Sequence, residues 1–124
     1  MKRDWDVIRK ILLKVEDAPA GEGVNLHDFA ESERPEVSYN AELLYEVGFV
    51  TASISNQVGK VEARDFTIYR MNWAGHDFLD AVRSDTIWKK TKKLISSKGG
   101  NMTYEVIKSL AIELTRKAVL GTDA

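Results

Sequence analysis

The segment from Glu36 to Val50, EVSYNAELLYEVGFV, constrains this chain more than any other stretch. Its apolar residues Val37, Leu43, Leu44 and Val47 recur at helical spacing and share one face. Gly48 stops that helix as a left-handed cap, and Phe49 turns the chain into a strand. Thr51 to Ser55 continues by alternation, with Val50, Ala52 and Ile54 on one side. Asn56 to Glu62, containing Gly59, is the turn, and Phe66 to Met71 returns as the second strand.

A helix running through Leu-Leu into Gly-Phe-Val and a β-hairpin is how the third helix of a winged helix-turn-helix passes into its wing. The expected fold is therefore α+β and mostly helical. It comprises a winged-helix-like domain over residues 1–83 with a small hairpin as wing, a C-terminal helical hairpin over 84–119, and a tail at 120–124. Asp4 is the expected N-cap of a first helix to about Glu16, striped by Trp5, Ile8, Ile11, Leu12 and Val15. Residues 18–23 are a loop, Val24 to Leu26 a short strand, and His27 to Ser32 at most two helical turns. Arg34-Pro35 is a further break. After the hairpin, Asn72 caps a helix burying Trp73, Phe78, Leu79 and Val82. Ser84 or Asp85 caps another to about Ser97, with Ile87, Trp88, Thr91, Leu94 and Ile95 inward. Thr103 caps the last, to about Ala118, buried through Val106, Ile107, Leu110, Ala111 and Leu114. The core of the first domain is expected to include Trp5, Ile8, Leu12, Leu43, Leu44, Val47, Phe49, Trp73, Phe78 and Leu79.

The opening MKRDWDVIRKILLKVE, the middle YNAELLYEVGFV and the run RMNWAGHDFLDAVRSDTIWKKTK carry a resemblance over about residues 1–118. They resemble a family of small bacterial and prophage proteins of unknown function. That family is similar to winged-helix domains with two added C-terminal helices. The resemblance implies the fold and, because the family has no assigned activity, no function.

Composition narrows the chemistry. The 124 residues contain no cysteine, which removes disulfides, zinc–thiolate sites and thiol catalysis and fits a reducing cytoplasm. No apolar run reaches the roughly 18 residues of a membrane span, and the charged N-terminus is unlike a signal peptide. The net charge is −1, but it is divided unevenly. Residues 1–82 hold 9 Lys/Arg against 15 Asp/Glu, and residues 83–124 hold 9 against 4, giving −6 and +5.

Several constellations follow. The outward face of the central helix is expected to carry Ser38, Glu42, Tyr45 and Glu46. Two glutamates there repel phosphates, and no Arg, Lys or Gln offers a bidentate base contact. That face suits solvent or a protein. Lys60 and Arg64 near the wing tip can touch a phosphate or simply keep an edge hairpin soluble. Lys89, Lys90, Lys92, Lys93 and Lys98 form the densest basic group, the face for nucleic acid if any is bound. His76, Asp77 and Asp80 supply too few ligands for a metal, so His76 is expected to fix the corner beside Gly75 by a hydrogen bond. No cofactor, metal or small-molecule ligand is expected, and no paired carboxylates, phosphate loop or nucleophile elbow points to an enzyme. The expected function is a non-enzymatic regulator or adaptor of phage or prophage type, in the cytoplasm, with a DNA-binding-like fold. It binds nucleic acid or, alternatively, serves as a protein-interaction module. A homodimer is expected through surplus apolar stripe near Ile107, Leu110 and Leu114.

Overall fold

The computed structural model describes residues 1–56 and 63–121. Their order is α1 (Trp5–Asp17), β1 (Val24–Asn25), two 3-10 turns (Leu26–Asp28 and Glu31–Glu33), α2 (Arg34–Glu46), β2 (Val50–Ile54), β3 (Phe66–Met71), α3 (Trp73–Val82), α4 (Asp85–Ser97) and α5 (Tyr104–Leu120). The chain is α+β, and its strands make one antiparallel sheet in the order β1-β3-β2. It forms two compact units, residues 1–76 and 77–124, so the division falls inside α3. No helix among the described residues is long and apolar enough to cross a membrane.

In the first unit, Asp4 caps α1, its Oδ1 accepting from the N–H groups of Asp6 at 2.9 Å and Val7 at 3.2 Å. Ile8, Ile11, Leu12 and Val15 are the buried stripe, and Trp5 is only half-buried. In the sheet, Thr51 faces Arg70 but Ala52 faces Ile68, so Tyr69 is one residue more than β2 can pair. That bulge lets Ile68 and Met71 both be buried although three positions separate them, and it turns Tyr69 outward.

The central helix departs from expectation at both ends. It starts at Arg34 with Pro35 in its first turn, where the missing N–H costs nothing, so Arg34-Pro35 begins the helix instead of breaking the chain. At the far end Gly48 takes φ 80°, the N–H of Phe49 donates to Leu44 O at 3.0 Å, and that of Gly48 to Tyr45 O at 3.2 Å. This is the Schellman ending, and the buried pair Leu44 and Phe49 completes it.

The buried stripe runs through Val37, Asn40, Ala41 and Leu44, with Ser38 beside it. Leu43 is half-buried and Val47 is 61% exposed, so Val47 is not core. Asn40, fully buried, is satisfied on both sides of its amide. Its Oδ1 accepts from the N–H of Asp4 at 2.9 Å, and its Nδ2 donates to Glu36 O at 2.8 Å.

The hairpin-to-helix corner also differs. Trp73 is 88% exposed and lies outside the core. The inward positions at the start of α3 are Gly75, Phe78, Leu79 and Val82, whose spacing of 3, 4 and 7 leaves Trp73 on the outer side. A Cβ on Gly75 would press into the carbonyl oxygen of Phe49, so only glycine fits. The side chain of Asn72 binds away from α3. Its Nδ2 donates to Gly48 O at 3.1 Å, and its Oδ1 accepts from Thr51 Oγ1 at 2.8 Å. His76 is exposed, and Asn72 fixes the corner in its place.

In the second unit, Ser84 Oγ caps α4 by accepting from the N–H of Ile87 at 3.3 Å. Ile87, Trp88, Thr91 and Ile95 are buried, whereas Leu94, at 37% exposure, faces partly outward. Thr103 caps α5, which runs to Leu120 and ends at Gly121 with φ 65°. Ile107 and Ala111 are buried on α5, and Val106, expected inside, is 44% exposed. The rings of Phe78 and Tyr104 pack at 5.5 Å.

Candidate interaction site

Only one face of α2 is buried, and the opposite face borders an open groove of about 450 Å³. The groove lies between the last turns of α2 and β2. Glu42, Tyr45 and Glu46 line one side, Ala52, Ser53, Ile54 and Asn56 the other, with Arg64 joining them. The floor is apolar because Ala52 and Ile54 continue the inward side of β2 but are only half-covered.

Arg64 is placed by a residue the sequence put on the wrong face. Ser38 is 4% exposed, and its hydroxyl donates to the backbone carbonyl of Arg64 at 2.7 Å. It pins the chain leading into β3 to α2 and is not available to a partner, which corrects its assignment to the outward face. So anchored, Arg64 holds Nε 3.7 Å from Glu42 Oε1, and the two charges partly offset each other. Glu46 and Tyr45 are exposed, Tyr45 by 50%. The face that turns outward is thus Tyr39, Glu42, Tyr45, Glu46 and Val47. Sequence reading missed Tyr39 and Val47 because it fixed the helix rotation from apolar type. The signal that finds the true rotation is the set Val37, Asn40, Ala41 and Leu44, which includes a polar residue.

Around the corner, the Asn72 bonds hold Gly48 and Asn72 together, so Val47 and Trp73 flank one hydrogen-bonded junction. Both are large, apolar and mostly exposed, at 61% and 88%.

The remaining predicted residues fall elsewhere. Lys89, Lys90, Lys93 and Lys98 are exposed in the second unit, while the ammonium of Lys92 lies 5.5 Å from the Trp88 ring centroid. Lys60 lies outside the described residues. Ile107 is fully buried within the chain, so it has no surface to offer a second copy, and Leu110 and Leu114 are half-buried. Asp77 is paired with Lys108, and Asp80 with Arg83 at 2.8 Å, which engages both carboxylates considered beside His76. The hydrogen bond that Lys108 donates to the Asp77 carboxylate raises its ammonium above the ordinary pKa, against a smaller effect of burial. No group of three or more His, Cys, Asp or Glu among the described residues is placed to hold a metal.

Comparison with known sequences adds kinship without activity. Residues 2–101 match the model of a family described as "Hypothetical protein (DUF2513)". A relative from Haemophilus influenzae, named only as an uncharacterized protein, is 35% identical over 112 residues, covering 90% of this chain and 92% of the relative. No solved structure matches.

Proposed function

We propose that this chain, which belongs to the DUF2513 family, is a non-enzymatic adaptor or regulator of winged-helix type whose central helix docks a protein instead of reading DNA. The observation that carries the reading is the outward face of α2. It presents Tyr39, Glu42, Tyr45, Glu46 and Val47, and the cation lining its groove, Arg64, already faces Glu42. A helix entering the major groove needs donors for guanine or adenine edges and must not repel phosphates. This face supplies carboxylates, phenols and an aliphatic residue, the chemistry of a protein contact.

The winged-helix part rests on order. A helix, a short strand, two 3-10 turns and a glycine-capped helix lead into a hairpin whose β3 pairs with that short strand. In place of the first helix of a helix-turn-helix stand the two turns, Leu26–Asp28 and Glu31–Glu33.

Nucleic-acid binding is the second reading, and the exposed Lys89, Lys90 and Lys93 on α4 favour it. Anisotropy of a labelled mixed-sequence duplex at about 50 and about 200 mM salt tests the two. The leading reading expects no saturable binding that depends on Glu42 or Glu46. Binding that weakens steeply with salt and falls on Lys→Gln replacement at 89, 90 and 93 would establish the second.

A further inference from the structure

Among the described residues β2 is an edge strand, because the sheet order β1-β3-β2 leaves its far side without a neighbouring strand. Its hydrogen-bonding phase is readable. Ser55 N–H donates to Asp65 O, and Phe49 O accepts from Asn72 N–H, so residues 49 and 55 point their backbone groups at the neighbouring chain. The extra residue of the bulge is on β3, so the phase along β2 is unbroken. Residues 49, 51, 53 and 55 therefore face β3, and the N–H and C=O groups of Ala52 and Ile54 face outward. Among the described residues no further backbone group bonds them. Ala52 and Ile54 line the groove, opposite Glu42 and Glu46.

We propose that this groove takes an extended, basic peptide segment of a partner protein, which pairs with the free edge of β2 and sets its Lys or Arg side chains against Glu42 and Glu46. The inference rests on the protein-docking reading above and names the partner's chemistry. Strand addition supplies affinity from main-chain bonds, and the walls select side chains in alternation. One wall is acidic and aromatic, with Arg64 set 3.7 Å from Glu42, so Glu46 carries the larger share of the charge offered to a basic side chain; the floor is the half-covered apolar pair Ala52 and Ile54. A segment with apolar and basic residues alternating places the first on the floor and the second against the carboxylates. The first unit, residues 1–76, holds 9 Lys/Arg against 13 Asp/Glu, and this net −4 draws in the same class of ligand.

The test uses the full chain and a fluorescein-labelled octapeptide of alternating lysine and valine, with an alternating glutamate–valine octapeptide as control. Saturable binding of the lysine peptide alone is expected, with affinity reduced about tenfold or more in the Glu42→Gln/Glu46→Gln double variant. Ala52→Pro should reduce it as well. Proline is tolerated on an edge strand where the N–H faces outward, and a melt confirms that the variant is folded. In the unsubstituted chain, the Ala52 and Ile54 amides should become protected from hydrogen exchange when the lysine peptide is added. Equal binding of the two peptides, indifference to the glutamine variants, or unchanged exchange at Ala52 and Ile54 would each overturn the proposal. A mixed-sequence duplex that displaces the peptide, and binds more weakly to the glutamine double variant, would overturn the docking reading itself.

Discussion

α2 and α4 are both 13-residue helices with one buried stripe, yet they turn opposite chemistry outward. α2 shows Glu36, Glu42 and Glu46 with Tyr39 and Tyr45, and Val47 follows at its C-cap, whereas α4 shows Lys89, Lys90 and Lys93 with no large aromatic among them. Trp88 is buried and takes Lys92 across its ring. The difference teaches that α2 is the less suited of the two helices to a phosphate backbone. Charge keeps α4 in water at little cost, whereas Tyr45 and Val47 leave more apolar area exposed beside the glutamates of α2 than Leu94 does on α4.

The two tryptophans give the largest expected contrast. Trp88→Ala should destabilise by about 3–5 kcal/mol through the cavity it leaves in the second unit. Trp73→Ala should change stability by no more than about 0.5 kcal/mol, since the side chain is almost wholly in water. Thermal melts of both variants decide the matter; equal losses would place Trp73 in the core. Gly75→Ala comes next, with a loss of about 1–3 kcal/mol or more from overpacking against Phe49. A wild-type melting temperature for that variant would show that the corner yields freely.

Asn40→Ala should follow at about 1–3 kcal/mol, because it leaves the part-buried Asp4 N–H without its acceptor. The smallest effect concerns Lys10 and Glu33, 2.7 Å apart at the surface of the first unit. The hydrogen bond from Lys10 holds the Glu33 carboxyl below its usual range. A lowered carboxyl adds stability above its unfolded pKa and loses it as pH falls through the folded value. The melting-temperature gap between wild type and Lys10→Gln should therefore be small at neutral pH and shrink to nothing as acidification carries the pH below the lowered Glu33 value. A gap that widens on acidification would contradict the assignment.

Much of this was legible in the sequence wherever a local rule is strong. The caps at Asp4, Ser84 and Thr103, the glycine ending at Gly48 and the strand at Phe66–Met71 all follow from side-chain chemistry within a few residues. What failed was helix rotation. On α2 the buried stripe includes Asn40, whose value lies in bonds to Asp4 and Glu36, and on α3 it includes Gly75, whose value lies in having no side chain. Neither looks apolar, so Val47 and Trp73 were placed inside by type. The groove needed the Ser38–Arg64 bond, which joins residues 26 positions apart.

The claim that α2 is a protein-facing and not a DNA-reading helix is tested most directly by backbone amide shifts. The ¹⁵N-labelled chain is titrated with mixed-sequence duplex at low salt. The amides of Tyr39 to Val47 should stay in place, with any movement confined to the Lys89–Lys98 segment. Shifts concentrated on Tyr39 to Val47 would contradict the account and return α2 to the major groove.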